Sequence, residues 1–447
     1  MRWLLTILFC SPLLAANHYV RAGATGTGSG NDWTNAYTDF TGSCAVGSLV
    51  RGDTYYVAGG TYAGRTFNRA TSGTTRIILQ GATIANHGTD TGWQDSYAVC
   101  NGTTQAYWNN DITFSTEYWD FNGACGPATP LSTGGGNPSN YGFSVESQAS
   151  CAATPRVVIS MEAINNRLYY VSIRNNCTPG TANCQFGVRF FNVTSSDSGM
   201  VFSHTYAENN HTDFQGTNLS GVNNVLWEYH YSKGASTNPS CHGEVWALSG
   251  TGSTIRWSYT EQCQGTACIA SNGGNMDNTE VYGNVLNGIG QSSGGNAAIA
   301  GAGSTDLVGW KIYNNTLYHV LNGFSFGWIY TNANGSGNVA KNNIVEQICG
   351  IDNDAQVDND YNYYLNCSGA SPSEPNKQTS SSEPWVDRPN GNWHLAADTN
   401  AWTPLGAPYN VDMDGVTRTS SRGAFQFVVS GVARTITGKV TITGKSQ

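Results

Sequence analysis

The chain has 447 residues, with 30 acidic against 21 basic side chains, a formal charge of −9 and only 11% charged residues. This acidic balance argues against nucleic acid or an anionic membrane surface as the partner. With 54 glycines and 11% aromatics, the composition is poor in helix formers and rich in turn and strand residues, so an all-β chain is expected. Length alone leaves open several domains or one long solenoid.

Residues 1–16 carry one early cation, Arg2, then an apolar run from Leu4 to Leu14, and end in Ala15-Ala16. That pattern predicts a signal peptide, too short to span a bilayer. No later segment holds 18 apolar residues in a row, so the mature protein is expected to be secreted, periplasmic or on the cell surface, with no membrane span and acting as a monomer. Removing Arg2 and no acid takes the formal charge from −9 to −10. Of the 12 cysteines, Cys10 leaves with the signal and 11 remain. In an exported chain these favour disulfides, and short loops between strands predict Cys177 with Cys184, Cys263 with Cys268 and Cys349 with Cys367. The odd count leaves at least one thiol outside an internal pair.

Residues 17–110 read as a cap and first coils. They contain His18-Tyr-Val-Arg-Ala-Gly, then Gly30-Asn-Asp-Trp-Thr-Asn-Ala-Tyr37, then Arg51-Gly-Asp-Thr-Tyr-Tyr-Val-Ala-Gly-Gly-Thr-Tyr62, short β-rich runs punctuated by glycine turns. At the other end stand Asn392-Trp-His-Leu395, Asp412-Met-Asp-Gly415, Arg418 and Gly423-Ala-Phe-Gln-Phe427. Both ends resemble secreted right-handed parallel β-helix proteins of the pectate-lyase-like superfamily. The resemblance implies one solenoid domain over 17–428, followed by a tail at 429–447.

Between those ends a repeat can be followed from residues alone. From Thr212 to Asn284 a short alternating strand, a glycine corner and an apolar strand recur three times. Aligned strand endings give a column of Asn176, Tyr206, His230, Tyr259, Asn284, Asn315, Asn343 and Asn362, spaced 19–31 residues apart, as successive coils of a solenoid of about ten turns would be. Stacked asparagines at one corner can hydrogen-bond from coil to coil. Leucine-rich and propeller repeats lack their signatures here.

Alternation on the strands after the glycine corners predicts Val188, Phe190, Phe214, Val245, Ala247, Ile269 and Ile299 inside. It predicts Arg189, Asp213, Gln215, Glu244, Trp246 and Asn272 outside. Asp213 and Glu244 on neighbouring coils would then form a carboxylate pair suited to glycoside hydrolysis. His211 and His242, beside them in sequence, are candidate acids, bases or sugar donors, Arg189 a catalytic cation, and Gln215, Trp246 and Asn272 substrate contacts. Residues Gly243–Asn284 more loosely resemble the alginate lyase and chondroitinase B branch, which implies a Ca²⁺-binding role for Glu244. The branch's catalytic lysine falls near Ser249 or Gly250 and its arginine near Ser271, and Trp246 stands where a second acid would. A lyase would therefore draw on Lys233, Arg189 or His242. The expected function is cleavage of an extracellular polysaccharide, hydrolase ahead of lyase, with a non-catalytic glycan-binding surface protein as the alternative.

Overall fold

The computed structural model describes residues 15–102, 104–132, 135–148, 156–176, 184–191, 193, 199–216, 222–234, 243–263, 267–288, 297–301, 306–320, 327–347, 349–368, 371–400 and 402–428. Among them the chain forms one 22-stranded sheet, one ten-stranded sheet and a short antiparallel pair. The strands of both large sheets pair in parallel with the equivalent strand of the next coil. The ten-stranded sheet takes one strand per coil, running through Gln185–Phe190, Thr212–Gln215, Trp246–Thr251 and Ile269–Asp277. The long sheet takes two, such as Leu226–Glu228 and Tyr231–Ser232. This is a right-handed parallel β-helix, with coils about 4.8 Å apart.

A two-residue corner separates the paired strands of the long sheet. Its first residue is left-handed: Tyr170, His204, Tyr229, Trp257, Gly283, Asn314, Asn342 and Tyr361 all have φ between 50° and 68°. Non-glycine residues pay for that conformation. The aromatic ones recover part of the cost by stacking outside the coil, with centroids 4.6 Å apart for Tyr170–His204, 4.5 Å for His204–Tyr229 and 5.3 Å for Tyr229–Trp257. Gly283 follows because a Cβ there would lie 2.7 Å from the Trp257 ring.

From Thr205 onward the second corner residue turns inward and is polar, after the apolar Val171 of the coil before. His230 N donates to Ser258 Oγ, Ser258 N to Asn284 Oδ1, and Asn284, Asn315 and Asn343 each donate through Nδ2 to the next amide oxygen at 3.0 Å. Asn362 ends the ladder on the buried carboxylate of Glu374, donating N to Oε1 at 2.9 Å and Nδ2 to Oε2 at 3.0 Å. The expected corner column therefore holds for His230, Asn284, Asn315, Asn343 and Asn362. Tyr206 and Tyr259 stand one position further on, facing outward, and Asn176 lies past the end of its strand.

Inside, Val188, Phe214, Trp246, Ile269, Ile299, Ile329 and Ile351 form one continuous column. It faces Phe202, Trp227 and Ile255 of the long sheet. Trp246 is therefore core, fully buried and stacked on Phe214, and Ala247 takes the other face. The run Val245-Trp-Ala-Leu248 is apolar on every residue, so alternation could not fix its phase; the register with Phe214 does. Outward, Ala247, Ala270 and Ala300 share a column.

Cysteine pairs 263–268 and 349–367 form as expected, and Cys100–Cys125 joins them. Cys184 is also disulfide-bonded, while its expected partner Cys177 lies outside the described residues. Cys44 is a buried free thiol, with burial pushing its pKa up to about 12. No helix among the described residues is long and apolar enough to cross a membrane.

Candidate functional site

The outward face of the long sheet carries a tyrosine stripe beyond the polar corner. Tyr206, Tyr231 and Tyr259 occupy one column, with ring centroids 5.6 and 5.1 Å apart, and Tyr141 packs tilted against Tyr206 at 5.7 Å. Two excursions cover this stripe. From one end comes the segment ending at Tyr141, where His204 Nε2 meets the Ala128 carbonyl and Gly136 lies so close to the Tyr231 hydroxyl that a Cβ would come within 2.7 Å of it. From the other comes the C-terminal stretch. It packs Trp385, Trp393, Leu395 and Phe425 over Tyr318, Ile344 and Tyr363 and pins Gly423 (φ 84°) against Ile344 and Thr316.

Between the two covers a cleft of about 720 Å³ stays open, with Tyr231, Tyr259, Glu261, Asn287, Gly136 and Trp393 among its walls. A second cavity of about 680 Å³ adjoins it, sharing Leu131 and Trp393.

Two residues past each tyrosine comes a charged side chain on the same face. Tyr206 leads to Glu208, Tyr231 to Lys233 and Tyr259 to Glu261. The register of the tyrosines continues through them, because Lys233 N donates to Ala207 O at 3.0 Å and Glu261 N to Ser232 O at 2.8 Å. Glu208, Lys233 and Glu261 thus sit on three consecutive coils. Lys233 Nζ pairs with Glu208 Oε1 at 3.2 Å, and the Tyr206 hydroxyl donates to Glu208 Oε2 at 2.9 Å. Glu261 is half-buried. Desolvation raises its carboxyl above the usual range, opposed by the Lys233 ammonium and a hydrogen bond from Tyr231. Burial between this carboxylate and its neighbours likewise drives the Tyr231 phenol far up.

Of the described residues expected to form the site, Lys233 lies on this face, and Asp213, Glu244, His211, Arg189, Gln215 and Trp246 are placed elsewhere. Asp213 does not face solvent: its side chain is sealed inside the solenoid. Its Oδ1 accepts from Asn210 Nδ2 at 2.9 Å, and its Oδ2 from Ser232 Oγ at 2.5 Å, with His230 Nε2 at 3.3 Å. The partner of its carboxylate is thus a polar knot at the corner. Glu244 is also buried, just ahead of the Trp246–Thr251 strand, so it too departs from the outward position expected. His211 is fully buried, and its Nδ1 accepts from Gln185 N at 2.9 Å, which requires a neutral ring; burial lowers its pKa accordingly.

The Arg189 guanidinium lies over the rings of Phe186 and Phe191, and burial lowers its pKa. Gln215 is buried on the column between Arg189 and Ala247. Trp246 belongs to the core and offers no face to a sugar. Asn272 lies on the Ile269–Asp277 strand, and His242 falls outside the described residues. Among the described residues no group of three or more His, Cys, Asp or Glu side chains gathers as a metal site needs. The acidic donor set that Ca²⁺ takes is therefore not assembled around Glu244 by them.

Glu208, Glu261 and the tyrosine stripe were missed in the sequence, although one signal was present. The pattern Tyr-x-Glu, Tyr-x-Lys, Tyr-x-Glu recurs at Tyr206, Tyr231 and Tyr259.

No protein-family model matches the chain, and no curated protein matches it. Solved structures similar to it include pectate lyase Pel9A, at 15% identity and TM-score 0.41, over 93% of this chain and 97% of that one. A mannuronic acid specific polysaccharide family 6 lyase from human gut microbiota shows 13% identity and TM-score 0.44, over 75% and 78%. A lacto-N-biosidase from Eubacterium ramulus shows 10% identity and TM-score 0.39, over 81% and 67%. By its own strand pairing, the chain is a single-stranded right-handed parallel β-helix.

Proposed function

We propose that this chain is an exported enzyme that cleaves an extracellular polysaccharide by hydrolysis, in the cleft between the two covers. The observation that carries the reading is Glu261 in the cleft wall beside Tyr231 and Tyr259, with Glu208 two coils away on the same outward column, next to the cleft. Two coil steps put the two glutamate backbones roughly 9.6 Å apart, which leaves a full coil between them, and inverting glycosidases use a wide spacing of their two carboxyl groups, about 6.5–9.5 Å, to make room for a water.

Glu261, whose pKa is raised by desolvation, is the acid that protonates the glycosidic oxygen. Glu208, held by Tyr206 and Lys233, is the carboxylate that takes a proton from the attacking water. Tyr231, Tyr259 and Trp393 supply flat apolar faces for sugar rings. A β-elimination at this place would need a cation to neutralise a uronate carboxylate. The two cations at this place are both already paired, Lys233 with Glu208 and Arg388 of the cleft wall with Glu383, which favours hydrolysis. Disulfides accord with export.

Incubation with a glycan panel tests the reading. New reducing ends with inverted anomeric configuration by proton NMR, lost about 10²-fold or more in Glu261→Gln, are expected. Products with an unsaturated ring, or full activity in Glu261→Gln, overturn it.

A further inference from the structure

The charge pattern around the cleft extends beyond the proposed acid and base, and it bears on what kind of polymer fits. The outward column that runs Glu208, Lys233, Glu261 begins two coils before Glu208. Glu146 pairs in register with Arg174, and Arg174 with Glu208. Five consecutive coils therefore present Glu146, Arg174, Glu208, Lys233 and Glu261, with signs alternating at every step. The cations are matched within the ladder: Arg174 Nη2 to Glu146 Oε2 at 2.7 Å and Lys233 Nζ to Glu208 Oε1 at 3.2 Å. All four of these side chains remain partly accessible, from 20% to 44%, so the ladder is a surface and not core.

The sequence flanking the ladder is uncharged. In sequence order, residues 176–184, 209–212, 234–243, 262–268 and 288–298, which come after Asn175, Glu208, Lys233, Glu261 and Asn287, contain no Lys, Arg, Asp or Glu at all, and consist of Ser, Thr, Asn, Gln and Gly with a few apolar residues, cysteines, two prolines and two histidines. A polyanion such as a uronate or sulfated chain needs several unmatched cations along its length. This strip has three acids against two bases, each base already matched, in a chain of net charge −9. A polymer of hydroxyls has the opposite requirement, since carboxylates accept from sugar hydroxyls, the ammonium and guanidinium donate to them, and no net charge has to be balanced.

Resting on the reading of the cleft given above, we infer that the substrate is an electrically neutral glycan. It lies along the solenoid axis on the ladder from Glu146 to Glu261, with the cleft at one end.

Affinity electrophoresis of Glu261→Gln, which separates binding from cleavage, tests this with neutral β-glucan, galactomannan and xyloglucan against polygalacturonate, alginate and a sulfated galactan. At least one neutral glycan is expected to retard the protein at low and high salt alike, and the anionic ones to leave it unretarded. Arg174→Glu should weaken neutral binding about 10-fold. In Glu208→Gln, which leaves Lys233 without its partner, the anionic polymers should still leave the protein unretarded, because one unmatched cation does not supply the several a polyanion needs. Lys233→Gln provides a second binding variant should Glu261→Gln fold poorly by circular dichroism. Retardation by an anionic polymer stronger than by any neutral one overturns the inference, as does no retardation by any neutral glycan. Failure of cleavage, or cleavage independent of Glu261, defeats the hydrolase reading and leaves this binding result standing.

Discussion

Asp213 gives the sharpest separation between an interior and a catalytic carboxylate. Its side chain has no solvent access and is held by Asn210 Nδ2, Ser232 Oγ and His230 Nε2. His230 is in turn fixed by Thr205 Oγ1 at 2.9 Å and packed against Phe214 and Trp246. Asp213→Ala leaves three buried donors without an acceptor, at about 1–3 kcal/mol for each unsatisfied group. Removal of the buried charge itself offsets part of this, so a net loss of about 3–5 kcal/mol is expected. Asp213→Asn keeps the shape but turns one acceptor into a donor facing a donor, and should cost about 1–3 kcal/mol. Urea unfolding followed by tryptophan fluorescence reads this directly, because Trp246 lies 5.5 Å from the His230 ring. The folded fraction of both variants should retain wild-type kcat/KM on any glycan that is cleaved. An Asp213→Ala protein that unfolds at the wild-type urea concentration yet has lost activity would refute the reasoning and return Asp213 to the chemistry.

Other expectations follow from the same contacts. If Glu261 is the general acid, activity falls as pH rises through its raised pKa. The Lys233 ammonium lowers that pKa, so Lys233→Met should move the basic limb of the kcat profile to higher pH; a limb that stays put or moves down argues against the assignment. Asn315→Ala removes two bonds accepted from Asn284 and two donated to Val281 O and Asn343 Oδ1, and should cost about 2–4 kcal/mol in denaturant unfolding. Trp246→Ala should cost about 3–5 kcal/mol, whereas an outward tryptophan would cost far less. Replacing Cys349 and Cys367 by serine opens a loop of 18 residues and should cost about 3 kcal/mol.

Legibility in the sequence followed how many independent constraints each residue obeyed. The asparagines at 284, 315, 343 and 362 were readable because one side chain satisfies two demands at once. Each fills a tight corner and hydrogen-bonds to its equivalent one coil on, which keeps residue type and spacing regular. Tyr206 and Tyr259 were drawn into that column by one position because the residues truly in register there, Thr205 and Ser258, are not asparagine. The Val245–Leu248 run was ambiguous for a different reason. When four successive residues are apolar, period 2 has no contrast to report, and only the pairing of Trp246 with Phe214 and Ile269 sets the phase.

The site was harder to read because its position is set by what lies over the coils and not by the coils themselves. The Tyr-x-charged pattern repeats on three turns, yet pattern alone cannot separate a wet stripe from a covered one. On later coils the same column is occupied by Val285, Thr316 and Ile344, and the C-terminal segment uses exactly this change to apolar and small residues as its seat. Where the column is still tyrosine, followed by charge, the C-terminal cover stops at Trp393 and the Gly135–Gly136 turn arrives from the other side. A charged side chain two residues past the tyrosine must be desolvated beneath a continuous cover unless it is paired there, as Glu346 past Ile344 is by His319, so the switch from Tyr-x-Glu to Val-x-Asn at 285–287 favours a cover ending there. The cleft is therefore written into the outward face of the solenoid, one coil before the switch, and a Val285→Tyr, Asn287→Glu double substitution should extend it. The expected outcome is loosening of the Trp393 contact, read as greater protease access near residue 390 at unchanged core stability. Unchanged access would show that the cover is held in place by the distal contacts at Gly423 and Phe425 alone.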